Sequence, residues 1–156
     1  MTEPRILLCV NDSVESRQAV QSVASRPWPK GTEIRILTVI DPADYSIVGL
    51  LDDRIREIRR FHQLLTNEFS ETPVFCTSSI KEGDPLTTIV EEAEQWKPTR
   101  LFLGGRKQSR FSRWIHGSLS SAVEARTACP VELIGHQRRR FKSFSRLAIA
   151  TVKHFK

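Results

Sequence analysis

A chain of 156 residues is the size of one domain, and 39% apolar with 27% charged residues is the balance of a globular protein, not of a disordered chain or a membrane bundle. The formal charge of +6 is unevenly placed: residues 1 to 137 carry seventeen Lys and Arg against eighteen Asp and Glu, whereas Arg138 to Lys156 hold seven bases and no acid. The bulk of the chain is therefore near neutral, and the basic excess belongs to its C-terminal tail.

No stretch approaches the roughly 18 consecutive apolar residues of a membrane-spanning helix, and Met1-Thr2-Glu3-Pro4-Arg5 has no signal-peptide pattern, so the expected location is the cytoplasm. Cys9, Cys76 and Cys129 have no CxxC spacing and read as reduced, structural thiols. His62, His116, His136 and His154 form no HExxH-type ligand pair, and no metal site is expected.

In chain order, Arg5-Ile6-Leu7-Leu8-Cys9-Val10 is a short continuous apolar run, the mark of a strand buried on both faces, and Asn11-Asp12-Ser13 then offers a helix start. Ala19, Val20, Val23 and Ala24 fall on one helical stripe, which Pro27-Trp28-Pro29-Lys30-Gly31 breaks. Glu33 to Ile40 is β-branched and mostly apolar, a second strand ending at Asp41-Pro42, where proline blocks helix and ladder alike. Leu51, Ile55, Ile58, Phe61, Leu65 and Phe69 step by three and four through a charged segment, which predicts a long amphipathic helix. Val74 to Ile80 reads as a third strand. Glu82-Gly83-Asp84-Pro85 then supplies a turn, an N-cap aspartate and an N1 proline for a helix marked by Leu86, Ile89, Val90, Ala93 and Trp96 and closed by Lys97-Pro98. Arg100 to Gly105 is a fourth strand running into glycines, and a basic loop follows from Arg106 to His116. Ser118 to Arg126 returns to helical spacing, and Cys129 to Ile134 is the fifth strand.

Strands alternating with helices of these lengths predict an α/β fold, a parallel sheet with right-handed crossovers and helices on both faces. Ligands of such open sheets bind beyond the carboxyl ends of the strands, where the strand order reverses. The residues just after strands one, two and four are therefore the ones to weigh.

Asn11-Asp12-Ser13 after the first strand has a plain reading, with Ser13 or Asp12 as an N-cap, and a sharper one, in which Asn11 also meets a ligand's base or sugar. After the fourth strand stand Gly104-Gly105-Arg106-Lys107, and Gly117-Ser118 opens the next helix thirteen residues beyond Gly104. Two glycine-bearing turns near one helix N-terminus suit a phosphate cradle, since bare backbone lets N–H groups approach oxygens and the helix dipole favours negative charge. Arg106, Lys107, Arg110 and Arg113 add only positive charge. The plain alternative is a tight turn and a solvated basic loop. GxxxxGK[ST], a GxGxxG after the first strand and GxSxG are all absent, which removes P-loop hydrolases, ordinary dinucleotide dehydrogenases and α/β-hydrolases.

Val10-Asn11-Asp12-Ser13 with Ser16 and Ala19, Val39-Ile40-Asp41-Pro42, Glu82-Gly83-Asp84-Pro85, the interval from Gly104 to Gly117-Ser118, and Cys129-Pro130-Val131 together resemble the universal stress protein family over about residues 4 to 136. The resemblance implies a five-stranded parallel open sheet in the order 3-2-1-4-5, an adenine nucleotide alpha hydrolase-like architecture, and a homodimer. Some members bind ATP through G-x-x-G, nine residues, then G-[S/T]. Gly104 and Gly117-Ser118 keep that spacing, but Lys107 occupies the second glycine, and Asn11 replaces the aspartate usual in binding members. The lysine both obstructs the backbone path and offers a phosphate a charge. If the pocket works, an adenine nucleotide, ATP with or without magnesium, would sit with its base near Asn11 and Val39. Its phosphates would lie among Gly104, Arg106, Lys107, Gly117, Ser118 and Leu119.

The division expected is a universal-stress-type domain over residues 1–136 and a basic extension over 137–156. Phe141, Phe144, Ala148, Val152 and Phe155 would share one helix face. That tail suits docking on its own domain or across a dimer, an anionic membrane surface, or nucleic acid. Two functions stay open: a regulatory stress-response protein binding adenine nucleotide, or a nucleotide-free module that recruits an unknown protein partner through its dimer and tail. Catalysis would be at most slow ATP hydrolysis, with no base or metal ligand identifiable and Asp12 the one nearby carboxylate.

Overall fold

A computed structural model describes residues 3–45, 49–104 and 118–134. The elements are β1 (Arg5–Val10), α1 (Val14–Ala24), β2 (Glu33–Ile40), α2 (Leu50–Asn67), β3 (Phe75–Glu82), α3 (Pro85–Trp96), β4 (Arg100–Gly104), α4 (Ser118–Arg126) and β5 (Val131–Ile134). All strand pairs are parallel, and the order across the sheet is β3-β2-β1-β4-β5, as the family resemblance implied. The loop expected over Arg106–His116 and the tail of residues 137–156 lie outside the described residues.

The continuous apolar character of β1 is explained by its central place, since every residue from Ile6 to Val10 is buried. Successive side chains alternate between two cores. Ile6, Leu8 and Val10 join Ile34, Ile36 and Phe102 under α1 and α2, with Val20, Val23, Leu65 and Phe69. Leu7 and Cys9 join Leu37, Val39, Leu101 and Leu103 under α3 and α4, with Ile89, Ala93, Leu119 and Val123. The two edge strands have none of this continuity: no residue of β3 or β5 is fully buried.

Caps set the helix limits. Asp84 accepts from the Thr87 amide with Pro85 at the first helical position, as the spacing predicts, and Lys97 ends α3 in a left-handed conformation at φ 53° ahead of Pro98. Three expectations shift. Pro42 does not simply stop the chain; it opens a single 3-10 turn, Pro42–Asp44, capped by Asp41, because its fixed φ suits a first helical position. β3 runs two residues beyond Ile80, since β2 offers ladder partners as far as Ile40 opposite Glu82. β5 begins at Val131, after Pro130, whose ring nitrogen has no hydrogen to donate. No helix among the described residues is long and apolar enough to cross a membrane.

Candidate functional site

β1 lies between β2 and β4, so the crossovers on its two sides cover opposite faces and the sheet order reverses there. Val10 pairs with Gly104, which brings the carboxyl ends of β1 and β4 side by side. Asn11 follows β1 directly, beside the end of β4.

The Asn11 side chain is committed to the start of α1. Its Oδ1 accepts from the Ser13 amide at 3.1 Å, the Ser13 hydroxyl at 2.6 Å and the Ser16 hydroxyl at 2.7 Å. Ser16 Oγ in turn accepts from the Asn11 amide, and Ser13 Oγ caps the helix by accepting from the Ser16 amide. Three donors converging on one atom fix the amide orientation and spend the oxygen, so any contact from this side chain to a ligand is a donated one. Of the two N-cap candidates, Ser13 takes the role and Asp12 does not.

Asp12 instead pairs with Arg54 of α2. The same guanidinium donates to the Tyr45 hydroxyl at 3.1 Å and to Glu57 at 3.0 Å. Burial would lower the Arg54 pKa, but the Asp12 charge and the hydrogen bonds that Arg54 donates to Glu57, Asp12 and Tyr45 outweigh it and hold the pKa above its ordinary value. This cluster straps the β1–α1 turn to the β2–α2 connection and engages Asp12, the carboxylate that the sequence places near the proposed cradle. Behind it, the Thr38 hydroxyl donates to the Val10 carbonyl at 2.9 Å and lies 2.7 Å from His62 Nε2. A hydroxyl has one proton, so His62 must be the donor in that second bond, which selects its Nε2–H tautomer. Burial pushes the His62 pKa down to about 4.

Gly104 is not at positive φ, and a Cβ there would stand 2.9 Å from the Ala19 Cβ. Its missing side chain lets α1 approach β4. Val39 and Leu119 share one apolar cluster, on the other face of the sheet from Gly104. The backbone of Ser118 begins α4, whose first-turn amides have no partner within the helix. Arg106, Lys107 and Gly117 lie outside the described residues.

Several residues escaped the sequence reading. Arg54 and His62 of α2, and Tyr45 ahead of it, were given no structural role by the sequence, and only the i,i+4 relation of His62 to the apolar stripe at Ile58 could have flagged burial. Ser120, in the first turn of α4, is buried, and its hydroxyl has no hydrogen-bond partner among the described residues. Glu92 of α3 is 3% exposed and held by Arg35 Nη1 at 2.5 Å and by Lys81. Burial alone would raise the Glu92 pKa, yet the two cations lower it. Among the described residues no group of three His, Cys, Asp or Glu side chains is placed to hold a metal. The three cysteines are free thiols, and burial raises each pKa, Cys76 to about 12.

A family model for the universal stress protein family matches residues 4–134. The chain is 32% identical over 72 residues to a universal stress protein A-like protein of Arabidopsis thaliana, a match covering 46% of this chain and 41% of that protein. It is 23% identical to the universal stress protein Sll1388 of Synechocystis, covering 85% and 97%. The first of these relatives is therefore matched over less than half its length. Among solved structures, a hypothetical protein whose biochemical function was assigned from its structure superposes with a TM-score of 0.75 at 19% identity, covering 88% of this chain and 99% of that one. A universal stress protein family protein of Arabidopsis thaliana with AMP bound gives 0.60 at 21%, covering 86% and 93%. The universal stress protein of Archaeoglobus fulgidus in complex with dAMP gives 0.62 at 15%, covering 86% and 99%. At these identities the structural likeness shows the fold.

Proposed function

The chain belongs to the universal stress protein family, and from that premise we propose that it is a cytoplasmic regulatory protein that binds an adenine nucleotide at the carboxyl ends of β1 and β4. One observation carries the reading: Val10 and Gly104 end adjacent strands at the reversal of the sheet order, where a ligand of an open α/β sheet sits. The solved relatives with AMP and dAMP support it. The base would lie by Asn11 and Val39, with Asn11 donating to it. The phosphates would meet Gly104, Arg106, Lys107, Gly117 and the first-turn amides of Ser118 and Leu119. ATP with magnesium is the ligand to try first. No described side chain is placed as a base for hydrolysis, so the nucleotide is read as a regulatory ligand.

Calorimetric titration of the full chain with ATP, ADP and AMP, with and without magnesium, tests this. Micromolar or tighter binding that Gly117→Val abolishes is the expected result. Unchanged affinity in that variant would remove the site.

The commitment of the Asn11 oxygen to the α1 cap and the packing reason for Gly104 favour a second reading. In it the crevice holds no nucleotide, and the chain acts as a homodimeric interaction module that recruits a protein partner through residues 137–156. Nucleotide-free protein that retains a partner and loses it on removal of that segment would decide for this alternative.

A further inference from the structure

The β1–β2 register ends where Cys9 lies opposite Leu37, and beyond that pair a side chain joins the two strands. The Thr38 hydroxyl donates to the Val10 carbonyl at 2.9 Å, and His62 Nε2 of α2 stands 2.7 Å from the same hydroxyl. That carbonyl begins the Val10–Asn11 peptide, whose other end is also held by a side chain: the Asn11 amide donates to Ser16 Oγ at 3.1 Å. Ser16 Oγ then donates to Asn11 Oδ1 at 2.7 Å. A peptide is planar, so holding its carbonyl sets the direction of its N–H. One run of bonds therefore leads from α2, through Thr38 and the last peptide of β1, to the Asn11 side chain. Val10, Ser16, Thr38 and His62 are all buried, where such bonds are sheltered from water and reinforce one another. Thr38 alone would satisfy the carbonyl, and an apolar residue would suit position 62, between Ile58 and Leu65 on the buried stripe of α2. A hydroxyl, however, is a rotor with a single proton. A donor on its lone pair leaves that proton to the carbonyl, so His62 removes the rotor's choice.

We propose that Thr38 and His62 are positioning residues for the nucleotide site: by fixing the Val10–Asn11 peptide they set the direction in which the Asn11 side-chain amide meets the base or sugar. This rests on the nucleotide reading above, and adds residues of β2 and α2 that act through Asn11 and not by contact with the ligand. Their effect falls on the nucleoside half, because the run of bonds ends on Asn11. His62 acts only through the Thr38 hydroxyl, so its removal has no further consequence once that hydroxyl is gone.

The test is titration of the full chain with adenosine, AMP and ATP, as wild type, Thr38→Val, Thr38→Ser, His62→Leu, His62→Gln and the Thr38→Val/His62→Leu double variant. Alongside it, NMR follows the His62 ring nitrogens and the Asn11 side-chain amide in ligand-free protein. In wild type the ring should be the Nε2–H tautomer. The Nδ1–H form would make Nε2 the acceptor and turn the Thr38 proton away from Val10, which overturns the proposal without any substitution. Thr38→Val should weaken all the ligands by one common factor, about tenfold, and His62→Leu by about threefold, each with a displaced Asn11 amide signal. Thr38→Ser and His62→Gln should restore most of the loss, and the double variant should bind as Thr38→Val does. Wild-type affinity in Thr38→Val overturns the positioning role and leaves the nucleotide reading in place. Losses confined to AMP and ATP overturn it as well, since the effect would then fall on the phosphates. Additive losses in the double variant overturn the route through Thr38 and make His62 a packing residue. Binding of none of the ligands by wild type overturns both readings.

Discussion

A glycine at the end of a strand can serve a ligand or a neighbouring helix, and at Gly104 the distance to Ala19 favours the helix. A Cβ placed 2.9 Å from the Ala19 Cβ overpacks the α1–β4 contact. Gly104→Ala should therefore lower unfolding stability by about 1–3 kcal/mol in urea titration, with no nucleotide present. Adding Ala19→Gly should return part of that loss, since the two sites touch and their effects are coupled. His62 carries a second consequence at this scale. Its folded pKa of about 4 lies below the ordinary 6.5, so the unfolded chain binds more protons between those values. Stability is complete above pH 6.5 and falls as the pH drops toward 4, by on the order of 3 kcal/mol over the whole window. Followed between pH 5 and 7, above the range of most carboxylates, His62→Gln should flatten the slope while keeping a donor to Thr38. A slope unchanged in that variant would assign the titration elsewhere.

Along the elements, periodicity finds the core-facing stripe of α3 but not the charge that the helix buries. Glu92 stands beside Ala93 in a run that reads as solvated, and its partners, Arg35 and Lys81, come from β2 and β3. The Arg35 guanidinium also lies 4.3 Å over the Trp96 ring, so one cation joins a buried carboxylate, a strand and the last turn of α3. Nothing in the spacing of 35, 81, 92 and 96 announces this, because crossover geometry brings them together. The caps, by contrast, are local, and Asp84-Pro85 could be read directly. Stranding a buried charge costs more than freeing cations that can turn to solvent, and Arg35 and Lys81 keep 31% and 39% of their side chains exposed against 3% for Glu92. Glu92→Met should change stability by no more than about 1 kcal/mol, whereas Arg35→Met, which leaves Glu92 buried beside Lys81 alone, should cost about 2–4 kcal/mol. Chemical denaturation of the two variants checks the inequality, and a larger loss for Glu92→Met would reverse the account.

For the whole molecule, the alternation of strands and helices was legible because continuous apolar runs such as Ile6 to Val10 arise only where a sheet is covered twice. The candidate site was legible in order along the chain and not in contacts: counting along β1 puts Asn11 just past its carboxyl end. Its bonds to Ser13 and Ser16, and the reach of Arg54 across 42 residues to Asp12, follow from side-chain geometry after folding. This division between covered centre and strapped rim should appear in the dynamics. Local openings expose backbone bonds at low free energy where few buried side chains must part, while the centre of a sheet opens only with the whole domain. Amides of Leu7, Leu8 and Cys9 should thus exchange at the rate set by global unfolding, and those of β3 and β5 faster, since neither edge strand has a fully buried residue. Arg54→Met should leave the first group unchanged and accelerate the Ser13 and Ser16 amides, because Asp12 loses the tie between the β1–α1 turn and α2. Acceleration across β1 as well would mean that the strap supports the domain as a whole and not its rim.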